Sequence, residues 1–350
     1  MATIHDVAER AGVSIKTVSR VLNNEPHVRP NMRAKVEAAA RALDYRPNQA
    51  ARRLAGGRSF LIAHLYDNPS PNYIAAIHAG AARRCRELGY HLVIEPVESH
   101  GRDILGLIHR LVATLAPDGV ILTPPLSDDP AITGEFERLG TPVVNIAAIG
   151  GDHNARIFMD ERSAGRAVTE YLLSIGHRRI GIVRGHPEHR AAGARFDGYS
   201  DALGAAGIRL DAQLITQGFF DLQSGIEAGR SLLGRQSRPT AIFATNDEMA
   251  VGVVMAAREL GLDVPHDVSV AGFDDTPMSR LIWPPLTTVR QPLEEMGSQS
   301  VDVLVEQRHR AELELSFELI VRNSTMPVPP GGQPPATPDK RGQAAKVDQG

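Results

Sequence analysis

From Phe60 to Val289, short apolar runs of strand length alternate with amphipathic stretches of helix length. That alternation limits the fold more than any other feature of the chain. Candidate strands cover residues 60–65, 90–96, 119–123, 142–147, 179–184, 241–244, 268–272 and 287–289. Helical patterns lie between them, for example over 74–88, 163–174, 195–206, 222–233 and 248–260. Strands separated by helices pair in parallel, and the helices then cover both faces of the sheet. Roughly 270 residues are too many for one sheet of average size, so two similar lobes are expected. Ligands of open parallel sheets sit outside the carboxyl ends of the strands. Two facing lobes therefore predict one ligand in the cleft between them.

Residues 3–45 follow a different rule. Thr3 can cap a first helix whose third residue is Asp6, and Ile4, Val7, Ala8 and Ala11 give that helix one apolar face. Gly12 permits a sharp turn at positive φ. Ser14 can cap a second helix, over 15–22, with Val18, Val21 and Leu22 inward. Residues 23–26 (Asn-Asn-Glu-Pro) break it, and a third helix over 30–43 carries the stripe Val36, Ala39, Ala40 and Leu43. Two short helices joined by a tight glycine turn, with a third behind, make a helix-turn-helix. This head is basic: up to Arg58 it has 11 Lys+Arg against 5 Asp+Glu, a net of +6, while the whole chain is at −3, so the remainder carries −9. A basic head on an acidic body suits contact with phosphates.

Residues 46–59 are rich in Arg and Ala, lack an apolar face, and break at Gly56-Gly57; such a segment folds only against something else. Beyond Pro327 the chain is rich in Pro, Gly and Lys, so residues 328–350 are expected to be a disordered tail without heptads for an oligomerisation bundle. No run of about 18 apolar residues exists to span a membrane. The polar N-terminus lacks a secretory core, and a lone cysteine, Cys85, fits a reducing cytoplasm. The chain carries no P-loop, no Gly-x-Ser-x-Gly and no His-Glu-x-x-His, so an enzyme is not expected. No metal and no cofactor are expected either; His186-Pro187-Glu188-His189 lacks the spacing of a helical zinc pair.

The run from Thr3 through Ser14, followed by Thr17-Val18-Ser19-Arg20-Val21-Leu22-Asn23, resembles the LacI/GalR headpiece signature. The resemblance continues at Leu43-Asp44-Tyr45 and Pro47-Asn48. In the body it resumes at Gly176-His177, Arg195-Phe196-Asp197-Gly198-Tyr199, Asn246-Asp247, Gly272-Phe273-Asp274-Asp275 and Pro285-Leu286-Thr287-Thr288-Val289. It implies an all-α helix-turn-helix (1–46), a hinge helix and linker (47–59), and an α/β two-lobed core like periplasmic sugar-binding proteins (60–327). Lobe 1 would take about 60–159 plus 291–320 and lobe 2 about 160–290 plus 321–327, with chain crossings near Asp160, Gln291 and Val321. It further implies a cytoplasmic homodimer on a pseudo-palindromic, double-stranded operator.

On that resemblance the second helix enters the major groove, with Ile15, Lys16 and Arg20 facing bases. Thr3, Ser14, Thr17, Ser19, Asn23 and Arg29 are further DNA-binding positions, with Thr17, Ser19 and Arg29 at phosphates, and Arg29 stands where many relatives carry a Ser or Thr cap. Asn48, Ala51 and Arg52 belong to the hinge, where Leu54 wedges into the minor groove at the central base step. The other reading of Lys16 and Arg20 is a solvated helix face. The effector residues implied are Ser70, Asn72, Tyr73 and Thr123 from one lobe, Arg195, Phe220, Asn246 and Asp274 from the other, and Gln291 at a crossing. Their chemistry suits a sugar or glycoside, whose entry releases the operator. A purine-type corepressor or a ligand-dependent activator is the alternative. The same residues have plainer readings: Phe220 as core, Asn246 as a helix cap, Asp275 as a turn cap.

Overall fold

The structure is a computed structural model and describes residues 2–22, 28–45, 58–98, 103–150 and 154–328. Asn23, the hinge residues Asn48, Ala51, Arg52 and Leu54, and the tail from 329 onward lie outside the described residues. The chain divides into two compact units, Met1–Phe60 and Leu61–Gly350.

The first unit holds three helices, α1 (Ile4–Ala11), α2 (Ile15–Leu22) and α3 (Pro30–Ala42). A reciprocal capping box starts α1: the Asp6 N–H donates to Thr3 Oγ1 at 3.4 Å and the Thr3 N–H donates to Asp6 Oδ2 at 2.7 Å. Gly12 ends it at φ 64°, the left-handed conformation that a residue without Cβ adopts at no steric cost. Ser14 opens α2 by accepting the Thr17 N–H at 3.2 Å. Arg29 precedes α3 without a side-chain cap, and Pro30 fills the first helical position, where no N–H is needed. Val7, Val18, Val21, Val36 and Ala39 make one small core. Burying each valine stabilises the unit by about 1.5–3 kcal/mol, which is what holds so short a segment together.

The second unit contains two parallel sheets. In the first, β1 (Leu61–Tyr66), β2 (His91–Pro96), β3 (Gly119–Leu122), β4 (Val143–Ile146), β5 (Ala155–Phe158) and a late strand, Glu312–Glu314, run in the order β2-β1-β3-β4-β5-late. Helices α4 (Pro71–Leu88), α5 (Ile104–Leu115) and α6 (Pro130–Arg138) link them. The second sheet has the order β7-β6-β8-β9, from β6 (Ile180–Arg184), β7 (Ile215–Gln217), β8 (Ala241–Ala244) and β9 (Ser269–Ala271). Its helices are α7 (Glu161–Ser174), α8 (Arg190–Ala205), α9 (Leu222–Leu233), α10 (Asp247–Glu259) and α11 (Pro277–Leu281). Four strands of each sheet thus share one winding order, with the reversal after the first strand. Each lobe has its own apolar core, around Leu65, Val120 and Phe136 in one and Val183, Met249 and Val253 in the other.

The chain passes between the sheets three times: after β5, after β10 (Thr288–Arg290), and on return from the late strand, named β11, through β12 (Glu318–Ile320). Strands β10 and β12 pair antiparallel and lie in neither main sheet. Helix α12 (Leu293–Val305) packs on α4 so closely that a Cβ at Gly80 would lie 1.8 Å from the Glu294 carbonyl oxygen. Strands β5, β7, β11 and β12 are absent from the sequence reading. They are three or four residues long and half-exposed in part, so they carry too little apolar signal to stand out.

Candidate ligand cleft and nucleic-acid interface

The carboxyl ends of both sheets surround a polar cavity. Asn68 and Ser70 follow β1, Pro124 follows β3, Ala147 follows β4, and Glu161 lies just past β5. From the other sheet come His189, Arg195, Phe220, Asn246 and Asp274. Six of the nine residues singled out from the sequence line this cavity: Ser70, Tyr73, Arg195, Phe220, Asn246 and Asp274. Thr123, Asn72 and Gln291 do not. Thr123 is fully buried, 3.3 Å from His64 Nε2. Asn72 and Gln291 line a neighbouring groove on the far side of Asp274.

Arg195 organises the site. Its Nε donates to Glu161 Oε2 at 2.7 Å and its Nη1 donates to the Thr245 carbonyl at 2.6 Å, while Asp274 Oδ1 lies 3.9 Å from Nη1. The guanidinium stacks 3.7 Å from the Phe273 ring centroid and 5.9 Å from that of Phe220. Burial alone would disfavour the Arg195 charge, yet Glu161 and Asp274 hold its pKa above the ordinary value. The sequence places Arg195 at the start of a helix, where its charge would oppose the dipole. The structure corrects this: α8 begins at Arg190, and Arg195 lies inside the helix, held by its ion pair rather than by helix-end electrostatics. His189, just before α8, is kept neutral by burial, with its pKa lowered to about 3.

Asn246 caps α10: its Oδ1 accepts the Met249 N–H at 3.0 Å, so the plainer reading describes it structurally. Its amide also donates to the Phe220 carbonyl at 3.0 Å and to Glu248 Oε2 at 2.9 Å. Phe220 itself sits at φ 64° and Asp274 at φ 115°, both in the region that strains a side-chain-bearing residue. Gln291 donates to Asp274 Oδ1 at 2.5 Å. Glu248 spans the lobes, accepting Ser70 Oγ–H at 2.8 Å and Asn72 Nδ2–H at 3.0 Å on one oxygen. With the lobes joined in this way the cavity encloses only about 30 Å³, enough for a few waters and too small for a sugar ring.

Glu161 Oε1, in the cavity wall, is a buried acceptor without a hydrogen-bond partner, and so is Gln291 Oε1 in the neighbouring groove. Glu161, Glu248 and His189 escaped the sequence reading. The only signal for the first two was position: Glu161 follows Asp160 at an expected crossing, and Glu248 follows the Asn246-Asp247 pair.

Asp275, read as a turn cap, is instead the centre of an arginine cluster. Its Oδ2 accepts from Arg280 at 2.9 Å and Arg290 at 2.8 Å, and its Oδ1 from Arg322 at 2.5 Å and Ser279 at 3.1 Å. Burial opposes the charge, but the bonds from Arg280, Arg322 and Arg290 hold the pKa down to about 2. Asp247 shows the opposite balance. Burial pushes its pKa up to about 7 despite bonds from Thr288 and Thr276, and Asp274 is raised likewise by burial. A raised carboxyl keeps its proton when folded, so its contribution is complete below the unfolded value near 3.8 and is lost as pH rises towards 7. The melting temperature is therefore expected to fall between pH 4 and pH 7 more steeply in the natural protein than in Asp247→Asn. Parallel melting curves across that range would sink this account.

In the head, Ile15 is 40% exposed at the start of α2, with Lys16 exposed beside it. Thr17, Ser19 and Arg20 are half-buried on the same helix. Thr3 and Ser14 spend their hydroxyls on helix caps, which fixes the geometry around them. Arg29 is exposed next to Pro30. The exposed opening turn of a short basic helix is a shape that fits a major groove.

Comparison with known proteins identifies the family. Residues 3–48 match the model of bacterial regulatory proteins, lacI family, and residues 169–325 match a periplasmic binding protein-like domain. The ribose operon repressor of Escherichia coli (strain K12) is 34% identical over 311 residues, covering 87% of this chain and 92% of that relative. The chain belongs to the lacI family of bacterial regulatory proteins. Like its relatives, this lacI-family protein is a DNA-binding transcription regulator rather than an enzyme. The HTH-type transcriptional repressor PurR of Proteus mirabilis (strain HI4320) is also 34% identical, over 334 residues, covering 93% and 97% of the two chains. Among solved structures, the lac repressor dimer bound to operator and the anti-inducer ONPF superposes with a TM-score of 0.76 at 33% identity, covering 93% of this chain and 99% of that one. The complex of the regulator CelR with cellobiose gives 0.71 at 31% identity, covering 93% and 100%. Among the described residues, no helix of the regulator is long and apolar enough to cross a membrane.

Proposed function

We propose that this regulator is a cytoplasmic homodimeric repressor that holds a pseudo-palindromic operator and releases it when a sugar enters the cleft between its lobes. The observation that carries the sugar reading is the cleft's chemistry. A buried Arg195 faces Glu161 and Asp274, the buried Glu161 Oε1 is an unanswered acceptor, and the Phe220 ring forms a wall. Hydroxyl groups that both donate and accept, on a ring with an apolar face, satisfy all three. Relatives named for ribose and cellobiose support the class. A purine-type corepressor is the second reading, and the relatives do not favour it over a sugar.

Entry of a ring into so small a cavity requires Ser70 and Asn72 to part from Glu248. A ligand shifts the lobes only by its differential affinity for the two arrangements. Asp274→Ala should therefore abolish the sugar response while leaving operator binding intact. Thermal unfolding against mono- and disaccharides, glucosides and purines tests the class. A ligand at 100 times its Kd should add about 2.7 kcal/mol, or roughly 5–11 °C. Stabilisation by purines alone would replace the sugar reading with the corepressor one.

For the head, Lys16→Ala should weaken operator binding by about 1–3 kcal/mol through loss of a base-edge contact. Binding to random DNA should change little, measured by gel shift on both at one salt concentration. Equal loss on both would make Lys16 a phosphate contact. Leu281 and Trp283, 84% and 75% exposed, supply apolar surface for the second subunit.

A further inference from the structure

Beside the cleft lies a second, larger cavity of about 260 Å³ that shares no lining residue with the first. We propose that it is a second ligand site, for a neutral polyhydroxy molecule of monosaccharide size, whose occupancy favours the joined arrangement of the lobes. The cavity is formed by Asp128 at the end of the turn after β3, Asn145 on β4, Arg156 on β5, and Arg190 from the other lobe. It exceeds the roughly 150 Å³ that admits a benzene-sized molecule.

Asn145 is the anchor. It is 8% exposed, yet its Oδ1 accepts no hydrogen bond. Protein interiors rarely leave such an acceptor unanswered, so its donor is expected from outside the chain. Arg156 is its direct cross-strand neighbour, and its Nε also lacks a hydrogen bond, although Glu312 Oε1 lies 3.1 Å away as an ion-pair partner. An adjacent donor and acceptor fit a hydroxyl, which can do both.

Charge selects against an ionic ligand. Glu312 answers Arg156, with Nη2 donating at 3.1 Å. Asp128 accepts the Ile149 N–H at 3.2 Å and the Arg190 N–H at 3.3 Å, while Arg190 Nη1 donates to the Ile149 carbonyl at 2.9 Å. Glu137 at the mouth is exposed, so water screens it. Among the described residues the fixed charges around the cavity balance, and an added ion would go uncompensated by them. The Asp128–Arg190 contact also joins the two lobes, so a molecule packed against both residues stabilises that join. By linkage, it and a cleft sugar whose entry parts the lobes weaken each other's binding.

The test uses the full chain carrying Asp274→Ala, which disables the cleft and leaves the second cavity untouched. Thermal unfolding is followed with D-ribose, D-glucose, myo-inositol and, as the ionic control, inorganic phosphate. At least one polyol should raise the melting temperature, phosphate should not, and the rise should vanish when Asn145→Leu or Arg156→Met is added. Two variants are used because Asn145 is buried and its replacement alone could impair folding. No shift with any polyol in the Asp274→Ala protein overturns the second site, whether or not the natural protein responds through its cleft. A shift that survives both added substitutions overturns its location, and a shift with phosphate alone overturns the neutral class.

Discussion

Arg195→Met is expected to lower stability by about 3–5 kcal/mol and to remove the effector response together. Its partner Glu161 has a side chain only 3% exposed, and removing the guanidinium leaves that carboxylate buried without a counter-charge. For a chain of this size the melting temperature should drop by roughly 6–20 °C. The double variant Arg195→Met with Glu161→Gln should regain most of the stability, because Glu161 no longer carries an uncompensated charge and burial favours the protonated form of Asp274, the other carboxyl beside Arg195. It should regain none of the ligand response, because the donor to ligand hydroxyls is still missing. Calorimetry on the three proteins, with and without the ligand that stabilises the natural one, separates the two effects. Recovery of ligand binding in the double variant would show that Arg195 only supports Glu161.

Asp275→Ala is the second large effect, and it tests a different part of the molecule. Asp275 joins Arg280 of α11 to Arg290 of β10 and to Arg322 beyond β12, so one carboxylate ties together two of the three passages between the lobes. Arg280 and Arg290 are half-exposed and can rehydrate, but the Arg322 side chain is only 15% exposed. A loss of about 3 kcal/mol is expected. Ligand should still bind the cleft, since Asp275 does not line it. Operator release should respond less to that ligand, because the passages no longer move as one body. The carboxylate's pKa of about 2 adds a pH signature: its stabilisation is present above the unfolded value near 3.8 and is lost as pH falls towards 2. Unchanged stability at pH 7 in Asp275→Ala, measured by denaturant unfolding, would refute the role of this cluster.

The two carboxylates at 274 and 275 illustrate what sequence can and cannot assign. The pair was legible as a feature, and its neighbourhood with Gly272-Phe273 pointed to the cleft. Which of them faces ligand and which faces three arginines depends on residues 280, 290 and 322, which the fold brings in from three different segments. The same holds for Glu161: nothing local marks it, and it becomes part of the site only because α7 packs against α8 and sets it beneath Arg195. That packing is tight enough that a Cβ at Gly165 would lie 2.4 Å from the Arg195 carbonyl oxygen.

What the sequence determined by itself was periodic or local. The three head helices follow from a capping box, a positive-φ glycine and apolar faces at helical spacing. The parallel sheets follow from apolar runs separated by helices, and the family follows from a motif order that runs through both. Those signals need only residues within a few turns of one another. Tertiary structure alone decided the short strands at the sheet edge and at the passages, whose burial is too partial to mark them. It also decided that Thr123, Asn72 and Gln291 stand outside the cavity and that Glu248 bridges the lobes. It gave Asn145 an unanswered acceptor on the wall of a second cavity. Such properties arise from distance in space between residues far apart in the chain, and desolvation and pairing at that distance leave no trace in the order of the residues.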